Sequence, residues 1–269
     1  MLTLFPVADG TPRNCALNSC GSQADTAIIR DADMRGGGGA LGKTQGNGKV
    51  DPANVISVFM GTSAKNSVPT NKGASGSVGV EDDLSGLRNQ RREEHKRQFG
   101  QGSGFFNLPG LGALGMGGKK SNFATETIVA DTAGEGAKSG LPTSDDSGVV
   151  SLVYRQINQD GAGPLTAAID PSSGGYENEA FQTAKVTQDV PGAGIGGLSL
   201  ATNTDFAVKV QMPQGMVCTG KVGGAENVCV VRVRNQALAG PFGGAAAFTQ
   251  SEGARKRAVA YRLKKRYEF

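Results

Sequence analysis

The chain has 269 residues, 42 of them glycine and 11 proline, which excludes long regular helix over much of its length. Tryptophan is absent, and 11 Phe with 4 Tyr supply one modest core rather than several. The formal net charge of +4 is local: residues 251–269 hold Arg255, Lys256, Arg257, Arg262, Lys264, Lys265 and Arg266 against Glu252 and Glu268, so the body itself is close to neutral and carries no footprint for nucleic acid.

In chain order, Met1–Asp9 turns acidic too soon for a secretory leader, and no stretch reaches the ~20 apolar residues of a membrane span. Residues 1–83 alternate polar turns with short apolar pieces and read as an irregular N-terminal part of a β-domain. Within them Val55–Met60 follows Asp51-Pro52, a helix start with proline in the first turn, although its β-branched content also permits a strand. Residues 84–147 pass from a charged run, Arg88–Arg97, into a Gly-Phe-Leu mixture without period and then a Ser/Thr/Gly/Asp run, the composition of a flexible insertion. Residues 148–250 carry short strand candidates, Val149–Ile157, Leu165–Ile169, Phe181–Val190, Phe206–Met212 and Asn227–Arg234, separated by Gly, Pro, Asn and Asp. Alternation at that spacing predicts an all-β fold, an antiparallel β-sandwich with long Gly-rich loops. Residues 251–269 read as a basic, solvated or processed tail.

Two motifs tempt and fail. Gly37–Thr44 has the spacing of a phosphate loop, but Gln-Gly-Asn-Gly follows where a helix must begin. Gly192–Gly197 fits G-x-G-x-x-G, yet Pro191 precedes it and no helical period follows. No cofactor is expected. His95 is the single histidine and stands beside Lys96 and Arg97, so histidine-based catalysis and two-imidazole metal sites find no support.

The four cysteines form two local pairs, Cys15 with Cys20 and Cys218 with Cys229. The second pair flanks glycines between strand-like segments, so its members can meet a disulfide's Cβ separation, as secreted proteins favour. A four-cysteine metal site is the rival, without a C-x-x-C spacing in its favour. Asp145, Asp146, Asp160, Asp170, Glu177 and Glu179 sit at predicted turns, where backbone reasons alone favour a carboxylate. Tyr154, Asp160, Tyr176 and Glu177 are the candidates for polysaccharide or partner contact, and the dibasic pairs Lys96-Arg97 and Lys256-Arg257 for proteolytic processing.

Several ordered blocks carry a resemblance. Asp9–Cys15, Cys20–Asp25, Gln156–Pro164, Val186–Gly192, Gln214–Gly220, Asn227–Cys229 and Ala239–Gly244 together resemble the fungal appressorium-specific virulence factors, related to a powdery-mildew protein of early haustorium formation. The resemblance implies an extracellular or cell-surface protein of infection, with a leader upstream of Met1 and a suggested link to chitin or other wall polysaccharide. The reading is a non-catalytic protein that binds cell-wall polysaccharide, chitin among the possibilities, or a host protein. The alternatives are a wall-polysaccharide-active enzyme using turn carboxylates and a cytoplasmic protein of infection structures.

Overall fold

The computed structural model describes residues 2–3, 8–13, 22–37, 39–63, 68–72, 119–120, 125–194 and 196–267. It is mainly antiparallel β, as the alternating pattern predicts. In β6 (Val149–Gln156), Val150, Leu152, Tyr154 and Gln156 are buried, and in β9 (Thr204–Gln211) Phe206, Val208 and Val210 match them. The two strands pair so that Val150 faces Val210, Leu152 faces Val208 and Tyr154 faces Phe206, setting one apolar face against the interior. The short β1 (Leu2–Thr3) runs parallel to β6, and β5 (Lys119–Lys120) pairs the start of β9.

The second arm contains β7 (Thr166–Asp170), β11 (Ala225–Arg234) and β12 (Phe242–Phe248), extended by β2 (Ala27–Ile28), β3 (Lys43–Thr44) and β4 (Gly48–Lys49). Between the arms lies β8 (Gln182–Gln188), whose first residues pair β7 while Lys185, Val186 and Gln188 pair β9 across a register shift. Leu152, Tyr154 and Val208 of the first arm share a core with Ile169, Val231, Val233 and Phe248 of the second, so the arms face each other across it. β10 (Gly220–Val222) forms a hairpin with the start of β11, and the Cys218–Cys229 disulfide ties the segment just before β10 to β11 with Cα atoms 5.0 Å apart. Cys15, Cys20, Lys96 and Arg97 lie outside the described residues.

β11 is buried on both faces. Its outer side, Val228 and Val230, meets Leu41, Ile56 and Leu141 of an irregular N-terminal layer. There α2 (Pro52–Met60) resolves the helix-or-strand ambiguity. The Asp51 carboxylate accepts from the Ala53 N–H at 3.0 Å, Pro52 opens the first turn, and Gly61 closes the helix at φ 70°. Those terminal signals outweigh the β-branched interior. In the same layer Lys43 and Thr44 belong to β3, so the phosphate-loop spacing feeds a strand, as its missing helix predicted. Arg232 points into this layer from β11, donating to the Ala40 carbonyl at 2.5 Å and Asn178 Oδ1 at 3.0 Å beneath the Phe181 ring.

Two stretches gain structure that composition did not suggest. Within the stretch 84–147, read as a flexible insertion, residues 125–147 include α3 (Ile128–Asp131) and α4 (Gly136–Ser139), seated through buried Val129 and Leu141. The basic end forms α5 (Glu252–Tyr267), preceded by α1 (Asp31–Arg35) far upstream in the chain. Lys256 and Arg257 therefore stand in helix rather than in extended chain. Among the described residues no helix is long and apolar enough to cross a membrane.

Candidate functional site

Charged groups are costly to bury, so where they gather, the fold has a reason. Among the described residues such a gathering lies over the last residues of β6, on the outer face of the first arm. The segment Ala8–Arg13 is fixed there by backbone bonds on both sides: Asp9 N–H donates to the Pro69 carbonyl, Gly10 N–H to that of Glu126, and Glu126 N–H to that of Thr11. Its side chains then build the cluster. The Asp9 carboxylate accepts from the N–H groups of Val129 and Ala130 at 3.1 and 3.0 Å, receiving the first turn of α3. Thr11 donates to Asp25 Oδ2 at 2.9 Å, and Asn71 donates to the Thr11 hydroxyl at 3.2 Å.

A second chain of charges adjoins. Arg13 pairs with Glu126, which also receives Arg155 at 4.0 Å; Arg155 in turn grips Asp205 through two parallel hydrogen bonds of 2.5 and 2.7 Å. Arg155 and Asp205 are cross-strand partners of β6 and β9, so the pleat itself places them together. Burial and then the neighbouring Arg155 pull the Arg13 guanidinium down to about 10, still a cation at neutral pH. Burial pushes the Asp25 carboxyl up to about 7, against the lowering pull of Thr11 and the Ala8 N–H. Among the described residues its Oδ1, a buried atom, has no hydrogen-bond partner.

Beneath the same strand end, on the inner face, three loops converge. Asn235 is the knot. Its amide donates to the carbonyls of Asp160 and Ala162 at 2.7 and 3.2 Å and its oxygen accepts from the N–H groups of Ala237 and Phe242. Gly192 passes so close to Gly163 that a Cβ would overlap the Gly163 carbonyl, and one on Gly197 would meet the Asn235 amide at 2.6 Å. The G-x-G-x-x-G run serves this close approach of loops.

Of the four predicted contact residues, Tyr154 is in the core, 4% exposed, with its hydroxyl donating to the Gly161 carbonyl at 3.0 Å. Burial and then Asp160 hold that phenol above its ordinary range. Asp160 lies in the turn after β6. Tyr176 and Glu177 are exposed, and the Tyr176 hydroxyl donates to Asp51 Oδ1 at 2.7 Å beside the start of α2. Asp160 precedes β7 and Tyr176 follows it, so these groups stand beyond opposite ends of a strand about 15 Å long. The fold brings Tyr154 and Asp160 together, and Tyr176 and Glu177 together, but not the two pairs. Other turn carboxylates hold backbone: Asp170 accepts from the N–H groups of Ser172, Ser173 and Gly175, and Asp189 from those of Leu165 and Val190.

The sequence profile of the Egh16-like virulence factor family matches residues 3–243, which takes in both clusters. The chain belongs to that family. It is 49% identical over 260 residues to the appressoria-specific virulence factor GAS2 of Pyricularia oryzae, covering 96% of this chain and 81% of the relative. To GAS1 of Pyricularia oryzae it is 35% identical over 156 residues, 56% of this chain and 59% of the relative. No solved structure matches the chain.

Membership gives the cluster residues a second meaning. Asp9, Thr11, Arg13 and Asp25 lie in the two N-terminal runs that resemble the Egh16-like pattern, whereas Glu126, Arg155 and Asp205 had no signal of their own in the sequence. The signal for the first four was their place in runs that carry the family resemblance; that they meet as one charged cluster required the fold.

Proposed function

We propose that this protein is a virulence factor that works at the fungal surface or the host interface, by binding cell-wall polysaccharide or a host protein rather than by chemistry. One observation carries the reading: Asp9, Asp170, Asp189 and Asp205 are tied to arginine or to backbone N–H groups, the arrangement of a scaffold that presents loops. Membership of the Egh16-like family supports the virulence role, and the buried Cys218–Cys229 disulfide supports an oxidising compartment. Contact falls to the exposed Tyr176–Glu177 corner and to the loop carrying Asp160. Free thiols at Cys218 and Cys229 in native protein would instead favour the cytoplasm of infection structures.

A second reading rests on Asp25. A carboxyl lifted to about 7 is matched to general acid–base work, and its buried Oδ1 has no hydrogen-bond partner among the described residues. The test is retention of the oxidised protein on insoluble chitin, cellulose and β-glucan, with the supernatant analysed for oligosaccharides. Retention lost in Tyr176→Ala without release of sugar supports binding. Release of defined fragments that Asp25→Asn abolishes makes the protein an enzyme. Neither retention nor release would leave a host protein as the partner.

A further inference from the structure

The charge concentrated at the end of the sequence is sorted by face on α5. Ser251 caps the helix, its hydroxyl accepting from the Ala254 N–H at 3.1 Å. Ala254 and Ala258 are buried, Arg255 donates to Asn227 Oδ1 at 3.0 Å, and Arg262 donates to the Gly215 carbonyl at 2.5 Å. These contacts hold one side of the helix on the body. On the other side, roughly 140° round the axis at 3.6 residues per turn, Val259, Leu263 and Tyr267 form a stripe spaced by four. They are 42, 47 and 87% exposed. Arg257 and Lys264 flank the stripe on one edge and Arg266 on the other, while Glu252, the acid of the helix, already pairs with Lys256.

We propose that α5 is a membrane-surface anchor: Val259, Leu263 and Tyr267 enter the boundary between headgroups and acyl chains of an anionic bilayer, and Arg257, Lys264 and Arg266 meet the lipid phosphates and carboxylates. Charge complementarity selects an anionic surface. The apolar stripe then selects lipid over a hydrated acidic polymer, which offers it nothing to enter. A second copy is disfavoured because two such faces would bring their cations together. A convex stripe of three side chains, about 12 Å long, is also small for a stable protein interface, whereas a bilayer conforms to it. The family match ends at residue 243, so the anchor lies outside the part that the profile describes.

The experiment is flotation of the full, oxidised chain with phosphatidylcholine vesicles, with and without phosphatidylserine. Binding is expected to the anionic vesicles alone and to be released as salt rises from about 0.1 M to about 1 M. Val259→Ser with Leu263→Ser, and separately Arg257→Gln with Lys264→Gln and Arg266→Gln, each weaken it by at least about tenfold. All five positions are exposed or stand on the helix's outer turns, and circular dichroism checks that the variants remain folded. No binding to anionic vesicles, or equal binding to neutral ones, overturns the proposal. So does undiminished binding by the serine variant, or retention on soluble polygalacturonate that matches vesicle binding and ignores the stripe. A concentration-dependent dimer that Leu263→Ser dissociates would assign the face to a second copy and overturn it as well.

Discussion

Thr11 donates its hydroxyl to Oδ2 of Asp25 at 2.9 Å, and the bond opposes the burial that keeps this carboxyl protonated. Burial prevails. The folded state holds the proton up to about 7, whereas an ordinary aspartate gives it up near 3.8. Across that window the unfolded chain has released a proton that the folded chain keeps, so stability falls as pH rises and levels off above the folded value. Asp25→Asn is expected to remove this slope and to raise stability at about pH 8 by roughly 1–3 kcal/mol. Urea unfolding of both proteins at about pH 4 and about pH 8 checks it; parallel behaviour of the two would sink the idea.

The Cys218–Cys229 bridge spans 11 residues of sequence and is buried in the shared core. Closing a loop of that length constrains the unfolded chain by about 3 kcal/mol in the loop-entropy view. Replacing both cysteines by alanine should lower unfolding free energy by about that amount, and reducing the native protein should give a similar loss. A denaturation midpoint indifferent to reductant would show that the hairpin is held by its strands alone.

Asn235 is 1% exposed and satisfies four backbone groups, two from the loop after β6 and two from the β11–β12 connection. Asn235→Ala leaves them unpaired away from water, at a cost of roughly 2–4 kcal/mol. Asn235→Asp keeps the acceptor for Ala237 and Phe242 but loses both donors, so it should fall short of the native protein as well. Thermal unfolding ranks the three, and an alanine variant as stable as the native one would contradict the knot.

Gly192 and Gly163 permit a backbone approach that a methyl group would block. Gly192→Ala is expected to cost roughly 1–3 kcal/mol and to loosen the loops around Asp160. Limited proteolysis reads the loosening directly: cleavage between residues 157 and 200 should accelerate in the variant. Unchanged fragments would mean that the loops shift apart without penalty.

The strands were legible because their cause is local. Val149–Gln156 and Thr204–Gln211 alternate apolar and polar residues, and a half-buried strand requires nothing else. The helix α2 was half legible, since Asp51-Pro52 announced a start while Val55, Ile56 and Val58 argued for a strand; the cap decided it. The charged cluster was not legible. Arg13 and Glu126 are far apart in sequence and meet because backbone bonds lay Ala8–Arg13 against residues 125–126, a long-range pairing that no window reveals. The C-terminal helix was missed for another reason: α5 is dense with like charge, which composition reads as solvated chain. What orders it is the fit of Ala254, Ala258 and Arg262 to a body surface the sequence does not display.

β11 has a consequence before the chain is folded at all. A strand covered on both faces must be apolar almost throughout, and Val228–Val233 is a β-branched run of the kind that self-associates when exposed during synthesis. Arg232 interrupts it. In the folded protein that guanidinium is an inconvenience, pulled down to about 10 by burial and lodged among neutral acceptors beneath Phe181. In the nascent chain it is a gatekeeper, placing a charge inside the segment most prone to aggregate. An Arg232→Leu variant could gain a better-filled layer and yet yield less soluble protein, so the residue's worth is measured in what reaches the native state rather than in the stability of what has arrived.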